Sequence, residues 1–449
     1  MESLRQRFES LRLRAVLSAL WAGPGLLAQG GLDDGNRQSP PESWRTIALA
    51  EAGVEIAIPR DFERLPTQPL RPLRFRGNLG GGKVELEVAW LTKNFATVSR
   101  VLLGLAADST LIRVDAARTN GLVTAVCERE LVGSNHRRVG YVICPRREAI
   151  LVECDIPKSA PSTTVGAARQ LLRFVRLVER TGLTAVQFGE EERLRRRIEA
   201  GFIEADRKKV EIRQSTFYRL FTTAPVDETI LEFLEAELLP RVVAICGESP
   251  SRTDPLSLFV HRGRSNYILA SMQLGLSAQQ GEAMAGHAWD DNYATWFEHA
   301  RSAVHVHEGT HQYMTATLGL DGGGPWLQEG FARWIETQYS HELPARNARN
   351  LLRSRKDFPK LEALIAERSF LFGGGGRLGF EALQLYDISA SFVRYLAQEH
   401  RSKFRTILLR TGVLPSGEFR LVARALEDTT GIAFPKLEED WRRWLREDL

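Results

Sequence analysis

The segment His307-Glu308-Gly309-Thr310-His311 constrains this chain more than any other stretch. If the segment is an α-helix, its two imidazoles lie one turn apart on the same face, so the chemistry the pattern suggests depends on local structure. With nine His among 449 residues, it arises by chance in roughly one such chain in a hundred. Its surroundings suit a helix. Ala300, Ala303, Val304 and Val306 precede it, and Gly319 with Asp321-Gly322-Gly323-Gly324-Pro325 closes it. The run Trp326 to Ala332 then opens a second helical pattern that carries Glu329, with Phe331, Ala332, Trp334 and Ile335 at helical spacing.

Such a helix lets His307 and His311 grip one Zn²⁺, with Glu329 as a third ligand and Glu308 within reach of a water beside the ion. The plainer alternative is a solvated His/Glu helix face. His305, two positions before His307, points elsewhere and is not expected to be a ligand. His287 and His299 read as polar-surface or strand-end residues. Glu336 shares a face with Glu329; it either orients a ligand or, as the preferred reading, sits in solvent. Gly373 to Gly376 lacks the Lys-Ser/Thr of a phosphate loop and reads as a flexible connection.

The pair HEGTH and PWLQEGFARWIE resembles the gluzincin metallopeptidases, and within them is most similar to the peptidase MA-like proteins, with their HExxHq and W-L-x-E-G-x-A segments. Tyr386-Asp387-Ile388-Ser389-Ala390-Ser391-Phe392-Val393-Arg394-Tyr395-Leu396 resembles that family's Y-x-x-S-x-x-x-V-x-Y-L helix, whose first Tyr faces the zinc. The likeness covers about the last half of the chain. It implies a thermolysin-like catalytic domain, zinc on His307, His311 and Glu329, Glu308 as general base, and Tyr386 as donor to the oxyanion. Tyr395 and a purely structural tyrosine are the alternatives to Tyr386. The likeness also implies that a strand at Tyr293 to Phe297 forms the upper edge of the cleft and pairs with substrate backbone, an ordinary sheet strand being the alternative. Aminopeptidases of this clan carry G-x-M-E-N. Gly281-Glu282-Ala283-Met284-Ala285-Gly286 lacks the Met-Glu-Asn order, which points to an endopeptidase or oligopeptidase acting on a peptide or protein substrate. An aminopeptidase of the same clan, or a zinc-containing binding protein without turnover, are the other readings.

A chain of this length exceeds what one core usually organises, so an α+β protein of two domains is expected. The expected division is 1–30 a signal peptide, 31–44 a linker, 45–180 a small N-terminal α/β module, 181–214 a charged connecting helix and 215–449 the catalytic domain. Arg5, Arg7, Arg12 and Arg14 ahead of the uncharged stretch Ala15 to Leu32 resemble a secretory leader, with an amphipathic helix as alternative. Export to the periplasm, envelope or medium is expected, a cytoplasmic protein being the alternative. No segment is apolar enough for a stable transmembrane span. A formal charge of +4, from 60 basic and 56 acidic residues, gives no case for nucleic acid. The charge-dense stretch 189–214 interleaves both signs and reads as an amphipathic helix.

In the N-terminal module, strands are expected at Thr46 to Pro59, Lys83 to Leu91, Leu122 to Leu131, Arg138 to Cys144 and Ala149 to Cys154, with helices at Val98 to Ala107 and Ala167 to Val178. Its order faintly resembles the small α/β domains that include photosystem-associated lumenal proteins. Further on, Phe217 to Phe221, Leu256 to Val260 and Tyr267 to Ala270 read as strands, and Ile230 to Val243 as a helix. Cys127, Cys144, Cys154 and Cys246 form no CxxC pair; buried thiols are expected, with a disulfide possible only in an exported protein.

Overall fold

The computed structural model describes residues 39–49, 53–66, 73–91, 96–119, 121–144, 148–178, 189–226, 229–250, 254–340, 343–370 and 378–447. The expected leader, most of the linker, residues 181–188 and the Gly373 to Gly376 connection lie outside the described residues. Ser43–Leu449 forms one compact unit. It is a mixed α/β structure, rich in sheet at first and helical toward the C-terminus.

The first part is built on a seven-stranded antiparallel sheet. Its strands are β3 (Glu63–Arg64), β4 (Leu73–Leu79), β5 (Gly82–Leu91), β6 (Ser109–Thr119), β7 (Leu122–Leu131), β8 (His136–Ile143) and β9 (Ala149–Pro157), in the order β3-β4-β5-β9-β8-β7-β6. Side chains alternate across a strand, so β9 serves two cores. Ile150, Val152, Cys154 and Ile156 face one core, and Ala149 and Leu151 face the other. The first core is covered by the Ser162–Leu172 helix and a small sheet of β1 (Trp44–Leu49), β2 (Val54–Pro59) and β10 (Val175–Leu177). The helix expected over Ala167 to Val178 therefore stops at Leu172, and its last apolar residues pair with β2 instead.

The second face continues into the core of the C-terminal part. Val98 and Leu102 of the Val98–Ala106 helix share one apolar cluster with Tyr293, Phe331, Phe392 and Trp441. All four cysteines are free; burial pushes the thiols of Cys127, Cys144 and Cys246 up to about 12, which keeps them unreactive.

A five-stranded sheet precedes and supports the helix that carries the HExxH segment. Its order is β11 (Glu211–Gln214), β12 (Tyr218–Thr222), β13 (Leu256–His261), β15 (Asn292–Trp296) and β14 (Gly286–Trp289). β12, β13 and β15 run parallel, while β14 is antiparallel to β15 and forms the edge. One face, with Leu220, Leu258 and Tyr293, packs on the main core; the other, with Phe221, Phe259 and Ala294, packs on Phe202 and Tyr267.

Three sequence readings change here. The charged stretch is broken into two helices, Glu190–Gly201 and the single-turn Glu204–Arg207, and it ends in β11 of this sheet. Tyr267 to Ala270 lies in the Arg264–Gln273 helix, where Tyr267, Ala270 and Ser271 are buried at helical spacing; a short apolar run does not reveal its period. β15 is paired on both sides, so the open edge expected at Tyr293 to Phe297 belongs to β14. Among the described residues, no helix is long and apolar enough to cross a membrane.

Candidate metal centre

The HExxH segment lies in the Ala303–Ala316 helix, which follows β15. Gln312 ties this helix to the sheet, its buried amide donating to the carbonyls of Ser257 (2.8 Å) and Asp291 (2.7 Å). The chain turns at Gly319 to Gly324 and enters the Pro325–Glu336 helix with Pro325 in its first turn, where its missing N–H costs nothing. Against this helix packs the long Ala382–Glu399 helix. They approach tightly at Gly330, where an added Cβ would stand 2.9 Å from the carbonyl carbon and oxygen of Ser389. That contact sets Tyr386, one turn before Ser389, beside Glu329.

Three donor atoms converge. His307 Nε2 lies 3.1 Å from Glu329 Oε2, His311 Nε2 lies 3.3 Å from the same oxygen, and the two ring nitrogens are 3.2 Å apart. Tetrahedral zinc with bonds of about 2.0–2.1 Å separates its ligands by roughly 3.3–3.4 Å, so the donor set fits that ion. Burial alone would raise the Glu329 carboxyl, but the two imidazoles outweigh it and hold the group well below the usual carboxylate range. Burial likewise opposes a charged His307, yet bonds to Glu329 and Glu336 raise its pKa.

Behind the donors runs a chain of polar contacts, buried at Arg333 and Asp387 and reaching the surface at Asn347. Glu336 Oε2 lies 3.1 Å from His307 Nδ1, and its other oxygen accepts from Arg333 Nη1 at 2.7 Å. Arg333 Nε donates to Asp387 at 3.0 Å, and Asp387 accepts from Asn347 at 2.7 Å. The solvated Glu336 preferred from sequence is thus overturned: its side chain is 12% exposed and touches His307 Nδ1. The spacing of seven from Glu329 carried the signal, but only packing shows which side of the helix is covered.

Glu308 is buried, and burial raises its pKa. It faces Gly286 of β14, where a Cβ would meet Val304 at 2.8 Å and Glu308 Cγ at 2.9 Å. Tyr386 stacks on His307, ring centroids 6.0 Å apart and 15° from parallel. Burial, then the charges of Glu329 and Glu308, push its phenol pKa up. Tyr395 packs instead against Phe392 and Trp444.

No family model matches this chain, nor does any curated relative. Among solved structures it is similar to a cyanobacterial PsbP (CyanoP) from Synechocystis, 16% identical over 34% of this chain and 99% of that one, at a TM-score of 0.26. A Bacteroides thetaiotaomicron structure is 10% identical over 52% of this chain and 71% of that one, at 0.19. An M1 zinc metallopeptidase from Deinococcus radiodurans is 11% identical over 81% of this chain and 90% of that one, at 0.34. Likenesses this distant carry no argument about chemistry. The site has to be read from its own residues.

Those residues line a cavity of about 750 Å³ that holds His307, Glu308, His311, Glu329 and Tyr386. β14 borders it on one side. His305 is buried against the Tyr293 hydroxyl (3.2 Å) and stays out of the donor set. His287, expected at the polar surface or at a strand end, lies in the short strand β14 and is buried; its ring bonds to Tyr267 (3.0 Å) and stacks on Trp289. Sequence reasoning did not foresee that Arg100 and Leu103, from the Val98–Ala106 helix of the first part, also line this cavity.

Proposed function

We propose that this chain is a zinc-dependent peptidase of the gluzincin type, with a thermolysin-like catalytic part that cleaves oligopeptides or internal bonds of longer chains. The observation that carries this reading is the triangle of His307, His311 and Glu329 donors in one cavity with the buried Glu308. A Zn²⁺ on those donors would supply Lewis-acid polarisation and make a neighbouring water acidic enough to lose a proton near neutral pH.

The chain's own residues do the rest. Glu308 takes that proton as the water attacks the carbonyl carbon, and then delivers it to the leaving amine. Burial raises its pKa toward the range where it both accepts and returns a proton. Tyr386 keeps its phenol proton, because burial and two carboxylates disfavour the phenolate, and it donates that O–H to the developing oxyanion. Glu336 fixes the His307 ring through Nδ1. The free edge of β14 offers backbone groups to an extended peptide, which strand addition requires. β14 carries no carboxylate for a substrate amine, so an aminopeptidase is disfavoured.

The test is hydrolysis of quenched peptide libraries by the purified protein, with and without chelator, beside Glu308→Gln. Cleavage is expected to stop with chelator, return with zinc, and fall by about 10³-fold or more in the variant. Cleavage that ignores chelator or the substitution would refute the mechanism.

A further inference from the structure

We infer that the N-terminal part supplies a piece of the substrate site: Leu103, on the Val98–Ala106 helix, joins Leu383 in recognising an apolar side chain of the peptide. This rests on the peptidase reading above and narrows its substrate class.

The helix divides its side chains. Val98, Val101 and Leu102 are buried in the core shared with the C-terminal part, whereas Leu103 is 58% exposed and lines the cavity. A single exposed leucine on a surface needs no explanation. Leu383 changes that. It is 57% exposed, lines the same cavity, and lies one turn before Tyr386 on the same helix face. Two leucine side chains left more than half exposed in the cavity that holds the His307, His311 and Glu329 donors are groups from which a ligand's apolar surface would displace water.

Leu103 is also held in place. Arg100, one turn earlier, bridges Asp290 at the turn between β14 and β15 (2.6 Å) and Asp321 beyond the HExxH helix (2.8 Å). Thr97, the cap of the same helix, donates to the second oxygen of Asp321 at 2.7 Å. These bonds pin the helix where β14 ends, so a peptide laid along that edge meets Leu103. Arg100 acts as the anchor, its guanidinium engaged by both aspartates. The favoured substrates are peptides with a leucine-like residue near the bond that is cleaved.

The experiment uses zinc-loaded Glu308→Gln protein, which holds peptide without turning it over, and the anisotropy of labelled decapeptides differing only in Leu or Gly at one central position. The Leu peptide is expected to bind more tightly. Leu103→Asp and Leu383→Asp, both at exposed positions, should each lower the Leu-to-Gly affinity ratio by about tenfold while zinc content stays the same. No preference for Leu in the parent, or an unchanged ratio in both variants, overturns the inference. If the ratio falls but wild-type protein never shows chelator-sensitive cleavage, the peptidase reading fails and the apolar site stands. Cleavage with an unchanged ratio sinks the apolar site alone.

Discussion

Gly330→Ala tests whether the tight crossing of two helices builds the site. The added Cβ would stand 2.9 Å from the Ser389 carbonyl atoms and 3.0 Å from its Cβ. Ordinary carbon contacts begin at about 3.5 Å, so the helices must part by roughly 0.6 Å. Backbone on the facing helix cannot swing aside as a side-chain tip can. Overpacking of this kind costs about 1–3 kcal/mol, against which alanine returns about 1 kcal/mol of helix propensity. Gly309 is the internal control, since its added Cβ would meet side-chain atoms and no facing backbone: the Leu238 and Leu234 methyl ends at 3.2 and 3.8 Å and the Tyr293 ring at 3.9 Å. Gly309→Ala should therefore keep the propensity gain. At about 2.1 cal/mol/K per residue over roughly 400 residues, 1 kcal/mol shifts the melting temperature by about 1 °C. Differential scanning fluorimetry should place Gly330→Ala about 1–3 °C below Gly309→Ala. Tyr386 would move with its helix, and a displacement of about half an ångström is expected to cost on the order of tenfold in turnover. A Gly330→Ala protein that melts with or above Gly309→Ala would refute the reasoning.

Three further outcomes follow from the site. Glu336→Ala should weaken zinc binding by about 10–100-fold in competition with a chromophoric chelator, because His307 loses the partner that orients it; unchanged affinity in the folded variant would remove that role. Gly286→Val should lower turnover by about tenfold or more with one zinc still bound per chain, since the new side chain displaces Glu308 rather than the ligands; loss of the metal itself would contradict this. Zinc uptake should release protons. In the metal-free protein burial opposes a charged His307, but Glu329 and Glu336 raise its pKa above the unfolded value. Its contribution to stability is therefore complete below the ordinary histidine range and fades as pH rises through the raised value. Calorimetry in two buffers of different ionisation enthalpy near pH 7 should show that release and an affinity that climbs with pH; a heat independent of buffer would oppose it.

The HExxH pattern and Glu329 were legible because their spacing is local: four residues make one helical turn, and a Gly-rich break followed by Pro325 starts the next helix. Strands such as β7 and β9 were legible for the same reason, alternation being written along the chain. What was not legible depends on a partner distant in sequence. The edge of the cleft passes from β15 to the four-residue β14 because pairing on both sides decides which strand is open. Glu336 meets His307 because the helix it ends is covered at that side, and Tyr267 joins a helix because a buried sheet face lies beneath it.

The sequence by itself therefore determined which residues could hold a metal and which helices would carry them, since both depend on periodicities of a few residues. Only the tertiary structure decided that the three donor atoms stand 3.1–3.3 Å apart, that Gly330 meets Ser389, and that the Val98–Ala106 helix reaches the same cavity. Those distances join residues separated by tens to hundreds of positions. They are set by how apolar faces pack into a shared core, which no local pattern records.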